Sequence, residues 1–298
     1  MISKSVTSKF YGDGEMLISD SNTNSLLSVD KITIQNSFKK KGCIIFRNFQ
    51  TSDFSYKEFI DRFTKVYAND TNDTLRRKKT NISKFVRHVD AGNLKMSLHS
   101  EASFSPSWPE IVWFYCKTPC KKDGETTICD GVKLWENLSE KTKSFFLANP
   151  LKYKLKIPLF KENKKGVKKK WFINSVGSYD SFLDYKKGEL NMCQIRFAVN
   201  EINHLNKLAF SNHVLHEKPY IDKTIQKWGT IFDKKIPKKI IEEVKKVSDK
   251  FTYFHKWEKD DLIMLDNRRF MHSRNHFNKN DSRVILNTQT LKSNFLNV

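Results

Sequence analysis

Three uninterrupted apolar runs constrain this chain most: Gly42-Cys43-Ile44-Ile45-Phe46, Ile111-Val112-Trp113-Phe114-Tyr115-Cys116 and Leu262-Ile263-Met264-Leu265. Each is of strand length and rich in β-branched and aromatic side chains, so each reads as a strand buried in a sheet. Extended structure is also expected at residues 126–129, 251–255 and 282–288, and Ile32-Thr33-Ile34 has strand-forming side chains as well. Between these lie helical apolar stripes at 55–68, 131–138 and 139–146, and a further helix after Pro237 carrying Ile240, Ile241, Val244 and Val247. Strands at both ends of an intervening segment can close around a ligand cavity as a jelly roll, an arrangement that also protects sheet edges.

With 298 residues, 38% of them hydrophobic and 13% aromatic, the chain can bury a large core, which excludes wholesale disorder. No linker or internal repeat interrupts it. We therefore expect a single catalytic domain over 1–298, with an irregular Ser-, Asn- and Asp-rich arm at 1–25, an insertion at 150–250 and an exposed basic loop at 161–170. The net charge of +21, from 54 Lys and Arg against 33 Asp and Glu, would attract an acidic partner. It is dispersed over clusters such as Lys39-Lys40-Lys41, Arg76-Arg77-Lys78-Lys79 and Lys168-Lys169-Lys170, without the basic helix or aromatic spacing of a nucleic-acid binder. Cys43, Cys116, Cys120, Cys129 and Cys193 form no paired metal or disulfide pattern. Without an apparent N-terminal signal, or an apolar span near the ~18 residues of a membrane helix, a cytoplasmic protein with no stable membrane insertion is expected.

The chemistry-bearing residues are split. His99-Ser100-Glu101 lies in the first half, preceded by residues 95–98, which could deliver His99 and Glu101 from a strand end; His272 follows the strand at 262–265. Two imidazoles and one carboxylate can occupy one face of an octahedral ferrous ion and leave the other open. A His-x-Glu pair alone is an ordinary polar turn, so the distant histidine carries the argument. Arg87, Asn93, Asn212 and His213 are candidate substrate contacts, while Asp130, Asp266 and Asn267 are expected to organise turns around the site.

The blocks LHSEASFSPSWPEIVWFYCKTPCKKDGETTICD and WEKDDLIMLDNRRFMHSRNHFNKNDSRVILNTQ, at 98–130 and 257–289, resemble the clavaminate synthase-like, TauD/TfdA-type branch of the Fe(II)/2-oxoglutarate-dependent dioxygenases. With the weaker start KKGCIIFRNF, the likeness spans most of the chain from Gly42 to Gln289. The resemblance implies a mainly β fold with flanking helices, a distorted double-stranded β-helix, and His99, Glu101 and His272 as iron ligands. It implies that Thr126 hydrogen-bonds 2-oxoglutarate and that Arg283 pairs with its distal carboxylate; Arg268, Arg269 and Arg274 lie close enough in sequence to compete for that role.

Fe(II), 2-oxoglutarate and dioxygen follow as cofactor and cosubstrates, with succinate and carbon dioxide as products. Halogenating members of that family carry a small residue where this chain keeps Glu101, so hydroxylation or desaturation is favoured. The expected substrate is a small polar metabolite such as an amino acid or related biosynthetic intermediate, free or on an acidic carrier protein. A nucleic-acid-directed oxygenase and a noncatalytic metal-dependent binding protein are the alternatives. The chain departs from the family pattern at Asp260, where a glycine often precedes the aspartate, and altered turn geometry is expected there.

Overall fold

The apolar runs are continuous because the sheet they build is covered on both faces. The computed structural model describes residues 6–20, 24–68, 78, 80–89, 92–105, 107–158, 160–162, 168–170, 181–186, 189–216, 226–230 and 234–296. In chain order the elements are β1 (Val6–Tyr11), β2 (Gly14–Ser19), α1 (Lys31–Lys41), β3 (Cys43–Arg47), α2 (Asp53–Asp61), β4 (Thr64–Tyr67), β5 (Arg87–His88), β6 (Ile111–Thr118), β7 (Thr126–Asp130), α3 (Gly131–Glu136) and α4 (Glu140–Ala148). There follow β8 (Leu151–Pro158), β9 (Phe160–Glu162), β10 (Lys168–Lys170), β11 (Ser181–Lys186), β12 (Glu189–Arg196), β13 (Val199–Ile202), β14 (Lys207–Phe210), β15 (Gln226–Thr230), α5 (Lys238–Phe251), β16 (Thr252–His255), β17 (Leu262–Asp266), β18 (Phe270–Arg274) and β19 (Val284–Ser293).

The principal sheet has the order β1-β2-β3-β17-β6-β19-β4, with β5 added to β19. All its pairings are antiparallel except β2 with β3. Alternation sorts its side chains by face. Ile44, Phe46, Trp113, Tyr115, Leu262 and Met264 join Ile34 and Phe38 of α1 and Tyr56, Phe59 and Ile60 of α2 in one core. Cys43, Ile45, Val112, Phe114, Ile263 and Leu265 face the opposite way, against Ile128 and Phe270 of the smaller sheet β16-β7-β18. The outer side of that sheet, through Cys129 and Met271, packs with Leu134, Phe146, Val244 and Val247 of α3, α4 and α5. The result is a mainly β protein with flanking helices and two apposed sheets. No helix among the described residues is long and apolar enough to cross a membrane.

Strands β8, β11, β12 and β15 form a separate four-stranded sheet, and β13 pairs with β14. Both lie in the region expected as an insertion.

Four local expectations are corrected. Much of the supposed irregular arm is the β1–β2 hairpin, with Leu17 only 1% exposed and β2 docked on β3; residues 1–5 and 21–23 lie outside the described ones. Ile32-Thr33-Ile34 is helical, because Asp30 caps α1 by accepting from the Thr33 backbone N–H at 2.7 Å, and Ile34 and Phe38, one turn apart, are the buried pair. The helix expected over 55–68 stops at Asp61, since Thr64–Tyr67 pairs with β19 and the Thr64 and Thr290 hydroxyls meet at 2.6 Å. Within the basic loop at 161–170, Lys168–Lys170 pairs with Phe160–Glu162; residues 163–167 lie outside the described ones.

Candidate active site

The two sheets bring together side chains that the sequence separates. His272 lies in β18, and an isolated bridge ties it to His99: each backbone N–H donates to the other's carbonyl, at 3.0 and 2.9 Å. Residues 95–98 form no strand, so Glu101 does not reach the site by strand alternation as expected. It enters a turn instead, where Asn267 clasps it. The Asn267 Oδ1 accepts from the Glu101 backbone N–H at 2.7 Å, while its Nδ2 donates to the Glu101 and Pro109 carbonyls at 2.9 and 3.0 Å. Ser100, between the two candidate ligands, donates to the Asn267 carbonyl at 2.6 Å. Asn267 is fully buried, so these bonds are shielded from competing water.

His99, Glu101 and His272 are each 4–6% exposed and offer ligand atoms all within 4.8 Å of one another. The Glu101 and His272 atoms are 3.7 Å apart. The Nδ1 of His99 lies 2.9 Å from the Ser97 carbonyl, so that nitrogen carries the proton and Nε2 keeps its lone pair. Burial, reinforced by His272, lowers the His99 pKa to about 3, which leaves the imidazole neutral and able to donate to a metal. A buried carboxylate beside two imidazoles is a donor set that suits a divalent first-row metal.

The same cavity, about 40 Å³, extends to Thr126, Arg274, Arg283 and Asn287, with Met96 and Phe114 as apolar wall. Arg283 donates from Nε to the Gly124 carbonyl at 2.9 Å and from Nη2 to the Thr126 hydroxyl at 3.4 Å. No carboxylate of the described residues pairs with it. Desolvation first, and the Arg274 charge second, lower its pKa to about 10. It remains charged at neutral pH, so a desolvated cation here calls for an anion. Thr126 Oγ1 accepts from Arg283 and, at 3.1 Å, from Trp257 Nε1; with both acceptor positions engaged, its own proton is left to donate.

The structure separates the four arginines close in sequence. Arg268 lines a different cavity, Arg269 is bound to Asp130 at 2.5 Å, and Arg274 and Arg283 share the candidate site. Arg274 is two residues beyond His272 in β18, and this period of two is the signal that could have found it. Asp130 also caps α3 through the Val132 N–H, and Asp266 accepts from the backbone of Arg268 and Arg269, so both organise turns.

Of the candidate substrate contacts, His213 packs 5.1 Å from the His99 ring, and His216, which sequence reasoning did not single out, lies 5.5 Å from it. Burial first, then His99 and His216, hold the His213 pKa well below its ordinary value. Asn212 uses its amide on the Ala198 carbonyl, before β13, and on the Val214 N–H, and its backbone carbonyl accepts from the Ser100 N–H. Asn93 donates to the Phe277 carbonyl, and Arg87 sits opposite Asn287 in the β5–β19 pairing; neither lines the cavity. Asp260 takes the left-handed backbone (φ 68°) that the family pattern gives to glycine, and accepts from the Tyr115 hydroxyl at 2.8 Å.

Residues 15–289 match the family model described as taurine catabolism dioxygenase TauD, TfdA family. The chain belongs to this family and is an Fe(II)/2-oxoglutarate-dependent dioxygenase. Solved structures of similar fold include the PvcB protein from Pseudomonas aeruginosa (TM-score 0.63, 11% identity, 97% of this chain and 92% of that one), described in a second structure as an Fe, alpha-ketoglutarate dependent oxygenase from an isonitrile synthetic pathway. Others are AAD-2 in complex with Mn(II) and N-oxalylglycine (0.60, 12%, 96% and 96%) and a taurine dioxygenase from Burkholderia xenovorans (0.59, 15%, 96% and 89%). No curated protein matches in sequence.

Proposed function

We propose that His99, Glu101 and His272 hold the ferrous ion, that Arg283 and Thr126 hold the distal carboxylate of 2-oxoglutarate, and that the enzyme hydroxylates a small polar metabolite of amino-acid type. The observation that carries this reading is the Arg283 guanidinium, without a carboxylate partner among the described residues, in the same cavity as three converging metal-ligand atoms. Iron with 2-oxoglutarate and dioxygen supplies the oxidising power for attack on a C–H bond, with succinate and carbon dioxide released.

The chain's own part is positioning. Arg283 presents a planar fork to a carboxylate, the Gly124 carbonyl fixes its Nε, and the Thr126 hydroxyl adds one donated hydrogen bond. Asn267 and Ser97 keep Glu101 and His99 oriented without touching the reacting atoms. Arg274, which lines the same cavity as Met96 and Phe114, places a second positive charge near Arg283, which favours an anionic, amino-acid-like compound; the taurine dioxygenase neighbour is also named for a small substrate. The two apposed sheets support reading the scaffold as a distorted double-stranded β-helix, one domain over 1–298 with 150–250 inserted. The five free thiols fit a cytoplasmic setting. The dispersed positive charge would assist an acidic carrier, if the metabolite arrives bound to one.

The test is succinate formation with ferrous iron, 2-oxoglutarate and a metabolite pool, with and without oxygen, while mass spectrometry seeks a metabolite gaining one oxygen. We expect oxygen-dependent turnover that falls by more than about 100-fold in His272→Ala, beyond the 10- to 100-fold typical of an outer partner. Oxygen-dependent turnover that H272A leaves unchanged would overturn the site assignment.

A further inference from the structure

Trp257 touches the candidate site from behind its cavity wall. The half-buried indole packs into the core between the two sheets and donates from Nε1 to Thr126 Oγ1 at 3.1 Å. Thr126 has one proton and two acceptor positions to satisfy, and at 4% exposure water competes little for them. One position takes the Arg283 Nη2 bond, which at 3.4 Å is long, so the indole bond is the shorter of the two. A tryptophan N–H donates and never accepts, which leaves the hydroxyl oxygen a single role at this contact. A hydroxyl in place of the indole could serve either way and would let the Thr126 proton turn.

The indole is itself held in place. His255 stands opposite Thr126 in the β16–β7 pairing, and Trp257 follows two residues on, its ring meeting the His255 ring edge to face at 4.5 Å. His255 is fully buried and bound at both nitrogens. Its Nε2 lies 3.1 Å from Asp261 Oδ2 and carries the proton, which leaves Nδ1 to accept from the Tyr11 hydroxyl at 3.2 Å. Arg47 grips the same Asp261 carboxylate with two bonds, from Nε at 2.9 Å and from Nη2 at 2.6 Å. Tyr11 belongs to β1 and Arg47 to β3, so the amino-terminal hairpin and the principal sheet together back the His255 ring.

We infer that Trp257 is a positioning residue that sets which 2-oxo acid the site accepts. By filling an acceptor position of Thr126 it fixes that hydroxyl as a donor, and the Arg283 guanidinium also offers only donors. The far end of the cavity therefore takes an oxyanion and turns away an otherwise equal ligand that ends in an amide, whose N–H groups would point at donors. This selectivity presupposes that Arg283 and Thr126 hold the distal carboxylate, and it gives Trp257, with His255 behind it, the part of keeping the Thr126 proton turned toward the ligand.

The probes are N-oxalylglycine and its end-amide, N-oxalylglycinamide, titrated by calorimetry into the Mn(II)-loaded full chain, the amide by displacement, so that binding is read without turnover. Trp257→Phe keeps an aromatic ring but removes the N–H, and Thr126 regains an acceptor position that an amide can use. The preference for the carboxylate over the amide should narrow at least about threefold, within the roughly 2- to 12-fold of one neutral hydrogen bond. In a Thr126→Val background W257F should change that preference less than about twofold, because the two side chains act through one bond. If W257F melts early, 3-benzothienylalanine at position 257, which keeps the indole's shape and replaces its N–H by sulfur, decides by the same criterion. With T126V still weakening N-oxalylglycine, an unchanged preference in the variant that folds, or equal narrowing in the T126V background, overturns the role of Trp257 alone. N-oxalylglycine affinity that T126V leaves unchanged would overturn the cosubstrate assignment, and the role of Trp257 with it.

Discussion

Arg283 shows how much of a single residue's role lies in its shape. A lysine there would keep the charge but lose the planar fork and the Nε bond that fixes it on Gly124. R283K should raise the KM for 2-oxoglutarate at least about 10-fold, as expected for a lost charged hydrogen bond of roughly 1.5–3 kcal/mol, with a smaller change in kcat; steady-state kinetics in 2-oxoglutarate would show it. Asp266 gives a pH-dependent counterpart. Burial raises its pKa from 3.8 to about 6, against the pull of two backbone N–H groups and the neighbouring arginines. The folded state therefore holds this proton more tightly than the unfolded chain does. The associated stability is complete below pH 3.8 and is lost as pH rises through about 6. In Asp266→Asn, whose side-chain oxygen can still accept both N–H groups, that loss should vanish. Urea unfolding of both proteins from pH 4 to 7 tests it, and a constant stability difference across the window would refute the assignment. Thr126 and Arg283 were legible through family likeness; Asn267 was legible as an organising residue, but its clasp on Glu101 was not, because no local period links the two.

Elements were legible wherever burial was uniform and ambiguous wherever a short motif served two periods. Strands β3, β6 and β17 stand where their apolar runs fall, since a strand covered on both faces needs no polar alternation. Ile32 to Ile34 satisfied strand propensity, yet one Asp cap and the Ile34–Phe38 spacing decided for helix. Tertiary pairing likewise ended α2, because residues 64–67 gain an edge position beside β19 that continued helix would forgo. The junction of β7 and α3 is equally dependent on its surroundings. A Cβ at Gly131 would lie 2.5 Å from the Arg269 carbonyl oxygen and 2.6 Å from that of Phe210, both backbone atoms that cannot swing aside. Gly131→Ala should destabilise the protein by about 1–3 kcal/mol through overpacking, measured as a lower urea midpoint with an unchanged slope. Unaltered stability would mean that the strand-to-helix turn relaxes freely.

Across the molecule, the amino-terminal hairpin shows what local reading omits. Its polar composition suggested an arm, but Leu17 is buried in the main core and β2 runs parallel to β3, a partner distant enough that composition carries no trace of it. Leu17→Ala should cost about 2–5 kcal/mol, the range for a core leucine, and thermal or urea unfolding would report it; a surface-like change below about 0.5 kcal/mol would return the segment to an arm. Sequence by itself determined which segments had to be buried strands, which residue types were available to hold a metal, and, through resemblance, the family. Only the tertiary structure decided which of these meet. His99 and His272 face each other through one backbone bridge, and the four arginines between positions 268 and 283 divide among an ion pair, a second cavity and the candidate active site. The physical reason is that side-chain periodicity reports burial locally, whereas convergence depends on strand register between distant segments.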